Sequence, residues 1–207
     1  MKTFFPHLIR AAATAGLVLA TAVPAAFAAM SATVTTDLNV RAGPGPQYPV
    51  LGVAPGGSTA ALEGCIEGSL WCRVNAGGVS GWAYAKYLQT ESGGSTVVIS
   101  ERRQELGVPV VSHEATGATV TVRPEPLELV GRVEDIPTVA PPPTVRTYIT
   151  ENPSEPVYLE GEVVLGATVP SSVAVQPIPE YEYEYVVVNN QPVLVEPSTR
   201  RIVYIYR

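Results

Sequence analysis

Histidine and cysteine occur only twice each in the 207 residues, and charged side chains make up 15% of them. His7 lies in an N-terminal apolar stretch, which leaves His113 as the imidazole of the remaining chain. A papain-like peptidase needs a thiolate beside a histidine, whereas Cys65 and Cys72 read as partners of each other. A Ser-His-Asp triad would have to use His113 with Asp37 or Asp135, and no serine stands in a G-x-S-x-G elbow. One histidine and two paired cysteines do not make a zinc site, and the carboxylates lack calcium-loop spacing. Gly43-Pro44-Gly45 is no phosphate cradle, because proline removes a donor. A glycosidase needs only two carboxylates across a cleft. Glu180, Glu182 and Glu184 supply carboxylates, but in strand alternation that is more simply a solvated face. His113, in Val111-Ser112-His113-Glu114, reads as part of a solvated loop. No catalytic residue, metal or cofactor is expected.

Positive charge is also scarce: 13 Lys and Arg stand against 19 Asp and Glu, for a formal charge of −6. Such a chain has no electrostatic footprint for nucleic acid or anionic lipid. Helical periodicity is nearly missing too, with Ser100–Leu106 as the one short candidate, while Val, Thr, Gly and Pro favour strands and turns. Residues 1–28 read as a secretory signal peptide: Lys2 and Arg10 flank the start, Ala11–Val23 is uncharged and apolar, and Ala26-Phe27-Ala28 is an A-x-A cleavage site. The apolar run is too short to span about 30 Å of hydrocarbon. No cysteine follows the site closely, so a lipoprotein anchor is not expected. Two cysteines in an exported chain fit an oxidising compartment.

What is present centres on Leu38–Leu88. Leu38 and Val40 alternate with Asn39 and Arg41, placing two side chains inward and two outward. Gly43-Pro44-Gly45-Pro46 breaks the strand, Val50–Ala54 forms the next, and Gly56-Gly57, Glu67-Gly68-Ser69 and Gly77-Gly78 mark further turns. About five short strands in about sixty residues predict a small all-β barrel or sandwich near the lower size limit for a free-standing core. Cys65 and Cys72 flank one turn, so on neighbouring strands they face each other and a disulfide is expected.

Leu38-Asn39-Val40-Arg41-Ala42-Gly43-Pro44-Gly45, Trp71-Cys72-Arg73-Val74 and Gly81-Trp82-Ala83-Tyr84 followed by Tyr87-Leu88 resemble, in that order, the bacterial SH3-like (SH3b) domain family. The resemblance implies an SH3-like barrel over residues 31–90 and a non-catalytic binding or targeting module of the cell envelope, several relatives of which bind peptidoglycan or its peptides. Aromatics with a polar handle suit sugar or peptide recognition. The candidate ligand-binding residues are Arg41, Tyr48, Trp71, Tyr84 and Tyr87. Tyr48, Tyr84 and Tyr87 are expected to be exposed contacts. Trp71 serves either binding or the core, and Trp82 reads as core. Arg41 either binds a peptide carboxylate or braces the Gly-Pro loop.

Residues 91–143 read as a Gly- and Pro-rich linker region. It opens on a flexible Glu91–Ser95, carries short β-like runs at Thr96–Ile99, Val108–Val111, Ala118–Val122 and Leu127–Val133, and ends in a Pro141-Pro142-Pro143 spacer of polyproline type. Whether those runs form a loose sheet stays open. Residues 144–207 read as a small β-meander. Tyr181-Glu182-Tyr183-Glu184-Tyr185 alternates strictly and runs into Val186-Val187-Val188; Asn189-Asn190 is a hairpin signal, Pro192–Val195 returns, and Ile202–Tyr206 follows. Val157–Leu165 is a further strand candidate. The segments from Val157-Tyr158-Leu159-Glu160-Gly161-Glu162-Val163-Val164-Leu165-Gly166 through Tyr185–Pro197 to Thr199-Arg200-Arg201-Ile202-Val203 resemble a C-terminal domain-of-unknown-function family of small exported Gram-negative proteins, which brings no activity with it.

The expectation is therefore a periplasmic or secreted, non-enzymatic β protein whose SH3-like module binds peptidoglycan, its peptides or an envelope protein. The alternative is a structural or assembly protein that pairs through its C-terminal strands; an accessory to a cell-wall hydrolase is a third reading.

Overall fold

A computed structural model describes residues 30–114, 125–129 and 139–207. The signal read over residues 1–28 and the β-like run Ala118–Val122 lie outside these residues, as does most of Leu127–Val133. Eight strands come first: β1 Met30–Val34, β2 Leu38–Arg41, β3 Val50–Ala54, β4 Thr59–Cys65, β5 Trp71–Ala76, β6 Val79–Tyr84, β7 Leu88–Ser92 and β8 Ser95–Val98. They form one antiparallel sheet in the order β3-β2-β6-β5-β4-β1-β7-β8. Val34, Leu38, Val40, Leu62, Val74 and Leu88 fill its core with almost no exposure. Cys65 pairs with Cys72 across β4 and β5, and the two are joined by the expected disulfide.

Glu91–Ser95 is a turn rather than a flexible linker. Gly93 and Gly94, both at positive φ, reverse the chain so that β7 pairs with β8. A short helix α1, Ile99–Arg102, falls where the sequence offered its one helical candidate. After β9, Glu125–Glu128, comes an element the sequence reading did not anticipate: helix α2, Pro143–Glu151. The last residue of the triple proline starts this helix, where a missing N–H costs nothing. Val145 and Ile149, four apart, are its buried face.

The remaining strands are β10 Leu159–Glu160, β11 Gln176–Pro177, β12 Glu184–Val188, β13 Gln191–Val195 and β14 Ile202–Ile205. β10 pairs with β9, and β11-β12-β13-β14 form a four-stranded antiparallel sheet. The predicted meander is thus present, with Asn189 (φ 51°) and Asn190 (φ 65°) at its hairpin turn. Val157–Leu165 is not a continuous strand: Val157 makes a lone bridge to Val188, and only Leu159–Glu160 is extended and paired. The outer edge of β14 is partly taken up within the chain, because Gly166 donates to the Ile202 carbonyl and Ile202 donates to that of Ala167.

This second sheet is buried on both faces. Tyr185, Leu194 and Val203 pack against Val145 and Ile149 of α2. Val186, Val188, Val193, Val195 and Ile202 belong to the same apolar core as Val40, Trp71 and Leu88 of the large sheet. The two modules therefore share a core, and the outward face of β2 lies beneath the second one.

Candidate functional site

All four residues of β2 are buried. Leu38 and Val40 face the core as the alternation requires. Asn39 and Arg41, expected to face outward, do so into the C-terminal module. The Arg41 guanidinium, 0% exposed, donates from Nε to Glu162 Oε2 (2.5 Å) and from Nη2 to Glu162 Oε1 (2.6 Å). Its Nη1 donates to the carbonyls of Pro46 (3.0 Å) and Tyr48 (2.7 Å). Of the two roles read from the sequence, the bracing of the Gly-Pro loop is present; in place of a peptide carboxylate, the guanidinium grips Glu162. That carboxylate belongs to its own chain.

Glu162, also fully buried, accepts from Asn39 Nδ2 (2.9 Å) and from the Val163 N–H (2.7 Å) in addition. Asn39 Nδ2 reaches Gln191 Oε1 as well, at 2.7 Å. Asn189 closes the cluster: its side-chain oxygen accepts from the Leu159 N–H (2.9 Å) and its amide donates to the Gly161 carbonyl (3.3 Å). A bidentate, fully donated pair is the geometry in which two buried charges are tolerated. The sequence reading passed over Glu162, Asn189 and Gln191. The one signal for Glu162 was an acid directly bordering the apolar run Val163-Val164-Leu165; if such a carboxylate is buried with the run, it calls for a cation.

The aromatics fall into two groups. Trp71, Tyr84 and Tyr87 are buried and contact one another ring to ring: the Trp71 and Tyr84 centroids are 5.4 Å apart, and those of Tyr84 and Tyr87 6.2 Å. The expectation that Tyr84 and Tyr87 are exposed is therefore corrected. The Tyr84 hydroxyl donates to Glu128 at 3.4 Å, and the Tyr87 ring packs on that of Tyr84. Lys86 pairs with the same carboxylate on the surface. Tyr48, also expected to be exposed, is half-buried instead: its ring lies directly on the backbone of Gly43, where a Cβ would collide with it. His113, expected in a solvated loop, instead sits edge-on to Tyr48 and to Trp82, at centroid distances of 5.6 and 5.4 Å.

Burial, followed by the nearby Glu162 and Glu128 carboxylates, pushes the Tyr87 hydroxyl up to about 12. Burial and Glu128 also push Tyr84 upward. The fold thus holds these protons more tightly than the unfolded chain, whose tyrosines titrate near 10.0. The associated stability is complete below pH 10 and is lost as pH rises through the folded-state values. Unfolding midpoints measured against pH should be level with respect to these groups up to about 10 and then fall; Tyr87→Phe should flatten that decline, and a midpoint unchanged to pH 12 would contradict the assignment.

A cleft of about 430 Å³ opens on another part of the surface. The disulfide turn Cys65–Gly68 forms one wall, and Ser100–Glu105 with Val108–Val110 the other. Glu67, Glu101, Arg102, Arg103 and Glu105 give it both signs of charge. Arg103 already serves the fold by donating to the Ile66 carbonyl at 3.2 Å. None of the five residues singled out from the sequence lines this cleft. Among the described residues, no His, Cys, Asp and Glu group is arranged to hold a metal ion, and no helix is long and apolar enough to cross a membrane.

Residues 36–89 match the family described as bacterial SH3 domain, and residues 148–207 match a domain of unknown function (DUF1236). No curated protein and no solved structure matches the chain. The large sheet therefore contains a bacterial SH3 domain over residues 36–89, and the DUF1236 module takes in the C-terminal sheet and the last turn of α2.

Proposed function

We propose that this is an exported, non-catalytic cell-envelope binding protein whose SH3 domain takes peptidoglycan, its peptides or a protein partner. The observation that carries the reading is the match of residues 36–89 to bacterial SH3 domains, a class associated with binding. The disulfide fits an oxidising compartment. Both cysteines are bridged and His113 packs on two rings, which supports a reading without thiol–imidazole catalysis. With Arg41, Trp71, Tyr84 and Tyr87 covered, ligand contact falls to the accessible surface around Tyr48 and to the mixed-charge cleft beside the disulfide turn. That cleft suits a short peptide bearing an ammonium and a carboxylate.

The test is co-sedimentation of the full chain with purified sacculi. Retention well above that of an unrelated acidic protein is expected, and Arg102→Glu should weaken it about tenfold, the equivalent of about 1.4 kcal/mol. Retention no better than the control would reject wall binding.

A further inference from the structure

The segment Gly107–Glu114 lies on the SH3 domain without entering its core. Among the described residues, β1 pairs with β4 from Thr33 opposite Thr59 to Met30 opposite Leu62. Beyond that point Pro109–Val111 runs along β4. The Cys65 N–H donates to the Pro109 carbonyl (2.9 Å), the Val111 N–H donates to the Cys65 carbonyl (3.0 Å), and Val110 stands in parallel register with Cys65. Residue 64 has to be glycine for this approach. A Cβ there would stand 2.6 Å from both the Pro109 oxygen and Val111 Cγ1. Two residues further on, the His113 ring enters between Tyr48 and Trp82. Its Nε2 is buried and finds no hydrogen-bond partner among the described residues.

The segment is nevertheless loosely invested. No residue from 107 to 114 is buried, and Val110 is 69% exposed. Two backbone hydrogen bonds to β4 and the partly buried Val108 and Val111 hold it to the core, so it is held less firmly than the fully buried strands. Gly107, at φ 64°, is a ready pivot at its start. A strand edge that supplies paired backbone groups, a glycine that clears the way and a slot between two rings are the parts of a site for an extended peptide.

We propose that Gly64, Cys65, Tyr48 and Trp82 form a peptide groove that this chain fills with its own residues 109–113. The groove accepts an extended segment of another protein that places a β-branched residue over Gly64 and, two residues later, a histidine between the rings. The proposal rests on the binding-protein reading and narrows the ligand to polypeptide, because a glycan strand offers no alternating N–H and C=O groups to the β4 edge.

The test uses the full chain and a fluorescent synthetic peptide with the sequence of Gly107–Glu114. A chain opened by Val111→Asp with His113→Ala should bind the peptide about tenfold more tightly than the wild type, whose groove is filled in cis. The same peptide with its histidine replaced by alanine should bind the opened chain more weakly, and the Trp82 indole N–H resonance should shift on binding. An unchanged thermal midpoint in the opened chain verifies its fold. Equal binding by wild type and opened chain, or indifference to the peptide histidine, would overturn the proposal. A concentration-dependent wild-type dimer that free peptide dissolves would also overturn it, in favour of a second copy as the occupant. Sacculus retention, measured in parallel, separates the two readings: retention without peptide binding removes only the groove, and peptide binding without retention removes only wall binding.

Discussion

Glu162→Ala is expected to lower the free energy of unfolding by about 3–5 kcal/mol, the usual cost of leaving one member of a buried ion pair unpartnered. Three things are lost together. Arg41 keeps its charge in a site with no water access, Asn39 loses one of its two acceptors, and the Val163 N–H is left without its carboxylate. Pro46 and Tyr48 still offer carbonyls to Nη1, but neutral acceptors do not balance a cation. Glu162→Gln preserves shape and part of the hydrogen bonding, so it should fall between alanine and wild type. A double replacement, Arg41→Met with Glu162→Leu, should recover most of the loss, since apolar residues of similar volume often replace such pairs without penalty. Because the pair joins two modules with one core, loss of the carboxylate should move a single cooperative transition rather than split it. Chemical denaturation followed separately by tryptophan emission and by tyrosine circular dichroism checks both points. Glu162→Ala within about 1 kcal/mol of wild type, a typical surface-to-modest effect, would show that Arg41 finds compensation elsewhere.

Replacing Cys65 and Cys72 together by serine is the second large effect. Closing so short a loop restricts the unfolded chain by about 2–3 kcal/mol in the loop-entropy picture. Both cysteines are buried in the core, so serine also brings hydroxyls into apolar surroundings. The expected total is therefore at the upper end of that range. Reduction of the wild type should reproduce most of it, and a reduced chain with an unchanged midpoint would contradict it. The consequence extends past stability, because Cys65 also carries the backbone pair that holds Pro109 and Val111. Loosening the turn should speed amide exchange at Val111 before the core strands open.

Much of the SH3 domain was legible from residues alone. Its strands are short, and several end near a glycine or proline that cannot continue them, as at Gly43-Pro44 and Gly77-Gly78. The disulfide followed from two cysteines flanking one such turn, and the C-terminal hairpin from Asn189-Asn190, the residue type that tolerates positive φ. Helix α2 was hidden because its first residue closes a triple proline and its apolar face amounts to Val145 and Ile149. Period two along β2 was also read correctly, yet it could not say what lay beyond the outward side. Asn39 and Arg41 looked solvent-facing because their partners are Glu162 and Gln191, far along the chain. The same gap misplaced Tyr84 and Tyr87: the Tyr84 hydroxyl reaches Glu128, 44 positions downstream, and the two rings pack on each other. Sequence pattern reports which face a side chain takes, and long-range packing decides whether that face is wet.

Arg41 meets its carboxylate 121 positions downstream. A polypeptide that emerges N-terminus first from a ribosome therefore presents the SH3 strands long before the residue that neutralises Arg41. Until Glu162 arrives, that arginine stays hydrated and β2 keeps one side uncovered. Completion of the first module is thus tied to delivery of the last, because the outward side of β2 is covered only once the C-terminal module is present.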